Sequence, residues 1–92
     1  MFTTYILLCG NDEYYVGSTE DIRRRLHEHQ TKNGGRFTKL HQPVKLVYTE
    51  EYDTYHQAFK RERQLHGWSR AKKEALIAGD IKKLKELSKS KK

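Results

Sequence analysis

The sequence predicts an α+β fold: a small three-stranded antiparallel sheet flanked by helices, in the order ββαβααα. Two runs of β-branched, aromatic and aliphatic residues flank the turn signal Gly10-Asn11-Asp12, which reads as a hairpin. Further on, apolar residues recur at helical spacing behind residues that cap helices. One more alternating run lies between the helical stretches, and no linker is long enough to divide the chain. Residues 1–87 are therefore expected as one domain and 88–92 as a basic tail. At 92 residues, folding buries only roughly 60–65% of the surface of the unfolded chain, so the core must be small.

The first strand is expected over Thr3 to Cys9 and the second over Tyr14 to Ser18. With Asn11, Asp12 and Glu13 as a three-residue loop, Gly10 pairs with Tyr14, Cys9 with Tyr15 and Leu7 with Gly17. Paired residues share a face and neighbours along a strand alternate, so Tyr5 and Tyr15 then lie on one face. A two- or four-residue loop would separate them. Thr19 or Asp21 can cap a helix to about Gln30, with Ile22, Arg25, Leu26 and His29 as its inward stripe. A basic loop with Gly34-Gly35 at its centre follows, from Thr31 to Pro43, and reads as exposed. The third strand is expected over Val44 to Tyr52, with Val44, Leu46 and Tyr48 alternating against Lys45, Val47 and Thr49. Thr54-Tyr55-His56-Gln57 matches a capping box and starts a helix to Leu65 or His66, whose inward stripe is Tyr55, Ala58, Phe59 and Glu62. Gly67 closes it, Ser69 caps the next helix through Ala78, and Gly79-Asp80 leads into a last helix, Ile81 to Leu87.

Nineteen Lys and Arg against twelve Asp and Glu leave a formal charge of +7. That balance fits a phosphate-rich partner, or simply keeps a small protein in solution. Arg24, Arg36, Lys39, Arg70, Lys72 and Lys73 are placed to shape a nucleic-acid-binding surface within the folded part. Nothing resembles a membrane span or a signal peptide, so the expected location is cytoplasmic. The single cysteine, Cys9, rules out an internal disulfide and reads as a buried, inert thiol. His27 and His29 point apart on their helix, and His41, His56 and His66 read as solvated. Trp68 reads as packing, with base stacking as the alternative.

Arg25 and Glu62 on core-facing stripes need an explanation, because a buried charge without a partner costs several kcal/mol. One solution is a mutual ion pair clamping two helices. The other is a wet cleft, favoured when His29 and two tyrosines converge with them. Such a group suits phosphodiester cleavage. Glu62 offers a hard oxygen ligand to Mg²⁺, which takes one or two carboxylates alongside water and phosphate oxygens. Arg25 would hold the phosphate, a tyrosine whose pKa is lowered by a nearby metal and arginine would orient or deprotonate water, and His29 would relay the proton.

These residues also resemble a known family. Thr3-Thr4-Tyr5, ten residues before Tyr15-Val16-Gly17, then Arg25, His29 and Glu62, resembles the GIY-YIG nuclease domain, over about residues 3 to 79. The arrangement Glu62-Arg63-Gln64-Leu65 followed by Trp68 is similar to that of small stand-alone members. The resemblance implies Tyr5 and Tyr15 as the tyrosines of the two half-motifs and Gly17 as the residue that lets backbone approach the site. It implies Arg25 and His29 as catalytic, Glu62 as catalytic and metal-binding, and a single Mg²⁺ or Mn²⁺ ion. The chain departs from the pattern in having Thr3 for a glycine and no asparagine after Glu62; Asp80 is expected to cap the last helix instead.

The implied function is a metal-dependent endonuclease on DNA, with RNA not excluded, in repair or recombination. No room is left for an attached targeting domain, so target choice is not read from the sequence; a partner protein could supply it, and a homodimer would let one assembly cut both strands. The rival readings are a nucleic-acid-binding module with little catalysis, and a structural protein in which Arg25 and Glu62 simply pair.

Overall fold

The computed structural model describes residues 1–31, 38 and 40–89; Gly34, Gly35, Arg36 and Lys39 lie outside them. Strands β1 (Phe2–Leu8), β2 (Tyr14–Thr19) and β3 (Lys45–Tyr52) form one antiparallel sheet in the order β2-β1-β3. Helices α1 (Ile22–Gln30), α2 (Tyr55–His66), α3 (Arg70–Ala78) and α4 (Ile81–Lys89) complete the order ββαβααα. The last helix continues past its expected end at Leu87. No helix among the described residues is long and apolar enough to cross a membrane.

The hairpin differs from expectation in its register. Leu8 pairs with Tyr14, Leu7 with Tyr15 and Tyr5 with Gly17, so the connection is Cys9 to Glu13 and not the three-residue loop. Its geometry explains why. Asp12 adopts a left-handed backbone (φ 68°), its amide donates to the Cys9 carbonyl at 2.8 Å, and the Cys9 amide donates to the Glu13 carbonyl at 2.9 Å. Gly10 is drawn out of the ladder: its amide donates to the His41 carbonyl at 2.6 Å, and a Cβ there would collide with the Gln42 carbonyl oxygen. The register moves by an even number of residues, which preserves the faces. Tyr5 and Tyr15 therefore still point the same way.

A second correction concerns β3. Ile6 pairs with Tyr48 but Leu7 pairs with Leu46, leaving Val47 as the extra residue of a bulge. The expected alternation breaks there: Leu46 shares the face of Leu7, while Val47 and Tyr48 pack against the Ile6 cluster.

Each face of the sheet has its own cover. On one, Ile6 and Val16 pack with Leu65 of α2 and Leu76 of α3 to form the core. The Thr4 hydroxyl donates to the Ala58 carbonyl at 2.8 Å and fixes α2 against β1. The other face presents Tyr5, Tyr15 and Gly17 and meets α1 through His29. Every expected cap is present. Asp21 accepts from the Arg24 amide at 3.0 Å, Thr54 and Gln57 form a reciprocal capping box, Ser69 accepts from the Lys72 amide and Asp80 from the Lys83 amide. Cys9 is buried, and burial pushes its thiol pKa up, away from the reactive thiolate.

Candidate active site

A cleft of about 400 Å³ straddles the β2 edge of the sheet. Tyr5, Tyr15 and Gly17 line it from one face, Arg24 and Arg25 from α1, and Tyr55, Phe59 and Glu62 from α2. It thus gathers Tyr5, Tyr15, Arg25 and Glu62, four of the five residues singled out from the sequence. His29 stands behind them.

Tyr5 reaches the cleft although it is only 1% exposed, because Gly17 opposite it has no side chain. A Cβ on Gly17 would collide with the Tyr5 hydroxyl and approach ring carbon Cζ to 2.6 Å. The glycine thus makes room for a phenol. Behind Tyr5, His29 is 2% exposed and bonded through both nitrogens: Nε2 to the Tyr5 hydroxyl at 3.0 Å and Nδ1 to the Thr38 hydroxyl at 2.8 Å. The Tyr15 ring meets the imidazole edge-on, with centroids 5.0 Å apart. The Gln42 side chain donates to the His29 and Thr38 carbonyls, tying α1 to Thr38.

Burial dominates the electrostatics. It pushes the Tyr5 phenol up to about 12, even with the Arg25 guanidinium beside it favouring the phenolate. Tyr15 is also raised, by burial and then by the Glu62 charge. Arg25 alone therefore does not bring a tyrosine down: desolvation of the phenolate outweighs the single cation. His29 is lowered, first by burial and then by Arg25, and is neutral at pH 7. Burial works against the Arg25 charge, but Tyr5 and Glu28 more than compensate and its pKa rises.

Arg25 and Glu62 do not clamp each other. Arg25 pairs within its own helix, Nε to Glu28 Oε1 at 3.2 Å. The half-buried Glu62 accepts from the Ser18 hydroxyl at 2.5 Å, and its other oxygen lies 3.4 Å from His66 Nε2. The interhelical ion pair is thus replaced by an arrangement that leaves both charges on the cleft. Among the described residues there is no cluster of three or more His, Cys, Asp or Glu able to cage a metal. A single carboxylate opening on a polar cleft nonetheless fits Mg²⁺ or Mn²⁺, which draw their remaining ligands from water and phosphate.

The remaining cations are divided. Arg24 lines the cleft. Arg70 is held by Asp12 and Glu74 and lies over the Tyr14 ring, while Lys72 lies 4.5 Å from the centroid of Trp68, which packs against the core. Two site residues were not anticipated. Ser18 could have been found, since alternation along β2 puts it on the face that α2 covers, opposite an inward carboxylate. Thr38 falls within the stretch 31–43 that the sequence presents as an exposed loop with no periodic signal, yet it is itself helical and buried.

Residues 1–75 match the sequence profile described as the GIY-YIG catalytic domain. The chain is similar to a UPF0213 protein of Natronomonas pharaonis, 40% identical over 76 residues that cover 83% of this chain and 89% of the relative. A UPF0213 protein of Halobacterium salinarum is 40% identical over 77 residues, covering 84% of this chain and all of the relative. Two solution NMR structures share the fold. The UPF0213 protein BH0048 of Bacillus halodurans has a TM-score of 0.55 at 33% identity, covering 85% of this chain and 84% of that one. A protein of E. faecalis has a TM-score of 0.58 at 32% identity, covering 86% and 84%.

Proposed function

We propose, since the chain belongs to the family of GIY-YIG catalytic domains, that it is a divalent-metal-dependent endonuclease hydrolysing phosphodiester bonds of DNA. The observation that carries this reading is the meeting of Tyr5, Tyr15, Arg25 and Glu62 in one cleft, with His29 hydrogen-bonded to Tyr5 from behind.

Glu62 would hold a single Mg²⁺ or Mn²⁺ ion, which when bound supplies positive charge to the phosphate and the leaving oxygen. Ser18 fixes the Glu62 carboxylate by its hydrogen bond. Arg25 presents a planar guanidinium to the phosphate and offsets the charge that builds up in the transition state. The proton of the attacking water needs an acceptor, and a phenol of pKa about 12 is not a free phenolate at neutral pH. The pairing of Tyr5 with a neutral imidazole solves this. Tyr5 takes the proton of the water on its oxygen as its own proton passes to His29 Nε2. In this tautomer His29 Nδ1 carries a hydrogen and donates it to Thr38. Tyr15 orients the water from the same face of the sheet. Arg24 extends the cationic wall of the cleft along the strand. Membership of a nuclease-domain family supports a place in repair or recombination.

The test is incubation with supercoiled, single-stranded and branched DNA in Mg²⁺ or Mn²⁺, with Glu62→Gln and Arg25→Ala alongside. Metal-dependent cutting that both folded variants lose is the expected result. Binding without cutting on every substrate would replace the nuclease reading with that of a binding module.

A further inference from the structure

We propose that Tyr55 and Phe59 seat an unpaired base near the phosphate being cut, which makes single-stranded DNA the substrate class of this cleft. The inference deepens the nuclease reading and rests on it.

Helical spacing assigns the two side chains to the core, on the inward stripe of α2, but the structure turns them outward. Ala58 and Leu65 take the core positions, while Tyr55 is 54% and Phe59 36% exposed. Both line the same cleft as Arg25 and Glu62. Their rings stack on each other with centroids 5.7 Å apart and planes 17° from parallel. The column is extended at one end by the Arg63 guanidinium, 5.9 Å from the Phe59 centroid, and Phe2 meets Tyr55 edge-on at 5.9 Å. Two aromatic residues one turn apart do stabilise a helix slightly. That role requires no place in an active-site cleft and leaves unexplained why Phe2 joins the same platform from β1.

The chemistry of the surroundings identifies the occupant. The platform is apolar and aromatic, flanked by Arg24 and Arg63, on a chain of formal charge +7. An aromatic face beside cations fits a base joined to a phosphodiester chain. Bases inside a duplex are already stacked on their neighbours and present only edges, whereas an unpaired base offers a free face to an aromatic ring. Tyr55 is the more exposed of the two rings and precedes Glu62 by about two helical turns, roughly 10 Å of rise, so a base stacked on it belongs to a nucleotide within reach of the phosphate at Glu62. Stacking of this kind tolerates any base, and sequence selectivity at this position is accordingly expected to be weak.

The test separates stacking from cutting. Glu62→Gln protein is titrated by fluorescence anisotropy with a labelled oligothymidylate and with a hairpin duplex of equal charge. Adding Tyr55→Ala or Phe59→Ala is expected to weaken single-strand binding about tenfold. Duplex binding stays within about twofold, and Tyr55→Phe retains single-strand affinity. An oligonucleotide made abasic throughout should bind the parent protein about tenfold more weakly and should be insensitive to Tyr55→Ala. Equal weakening on single strand and duplex, or an abasic strand that binds as well as the native one, overturns the inference. Thermal melts of the alanine variants check that the fold is intact. Wild-type protein that cuts duplex and single strand equally, with or without Tyr55→Ala, sinks the base seat but leaves the nuclease reading standing. Base-dependent binding by a wild-type protein that cuts nothing does the reverse.

Discussion

His29 shows at the residue scale how one buried group ties catalysis to stability. It is held neutral by burial, with both nitrogens bonded to hydroxyls, while an exposed histidine titrates near 6.5. The folded-state pKa lies below the unfolded one, so below pH ~6.5 the unfolded chain takes up a proton that the folded chain refuses. The associated stability is complete above that pH and is lost as the pH falls toward the folded pKa, at up to about 1.4 kcal/mol per unit. Urea unfolding between pH 7.5 and 5.5 should therefore show a decline that His29→Gln, compared pH by pH, largely removes. Identical slopes in the two proteins would assign the acid sensitivity elsewhere. His29, Arg25 and Glu62 are visible in the sequence because each breaks an apolar helical stripe, and the alternation of strands brings in the two tyrosines. Their protonation is not visible there. It depends on how deeply Gly17 lets the Tyr5 ring sink and on Thr38, and neither that depth nor a partner from a stretch without an apolar stripe is encoded in periodicity.

At the scale of elements, α2 carries the most function per residue, since it delivers Glu62, the two exposed aromatics and the packing of Ala58 and Leu65 against the sheet. Its start is fixed by exposed, local bonds: the Thr54 hydroxyl accepts from the Gln57 amide, and the Gln57 side chain accepts from the Thr54 amide, both at 3.2 Å. Thr54→Ala should cost about 1 kcal/mol in chemical denaturation, with Thr54→Asp recovering most of it. A deficit that Thr54→Asp fails to recover would point to packing rather than capping. Caps of this sort are legible because the sequence distance between partners is three residues. The hairpin register and the β3 bulge are not, because they answer to residues far away in the chain. Gly10 is pulled from the ladder by His41 and Gln42, and Val47 is displaced toward a cluster that includes residues of α2, α3 and α4. A helical stripe likewise announces an apolar face without naming what lies against it, which is why Tyr55 and Phe59 read as core.

Over the whole molecule, a net charge of +7 makes nucleic acid an electrostatic match, but the cations are unequally available. Arg24 faces the cleft with a weakly paired side chain, its Nε 3.9 Å from Glu28. Arg70 instead bonds the Asp12 carbonyl at 2.5 Å and Glu74 at 3.0 Å, and stacks on Tyr14, so it fastens α3 to the hairpin end. A cation already neutralised by the protein releases no counterion when DNA arrives. For single-stranded DNA the slope of log K against log salt changes by about 0.7 for each phosphate that the protein no longer neutralises. Arg24→Ala should therefore flatten that slope by about this amount, while Arg70→Ala leaves the slope unchanged and lowers stability instead. Binding measured over a range of salt concentrations decides the matter. A flatter slope for Arg70→Ala than for Arg24→Ala would move the strand's path off the cleft and onto α3, whereas the expected order ties the basic charge of the chain to the same groove that holds Tyr5, Arg25 and Glu62.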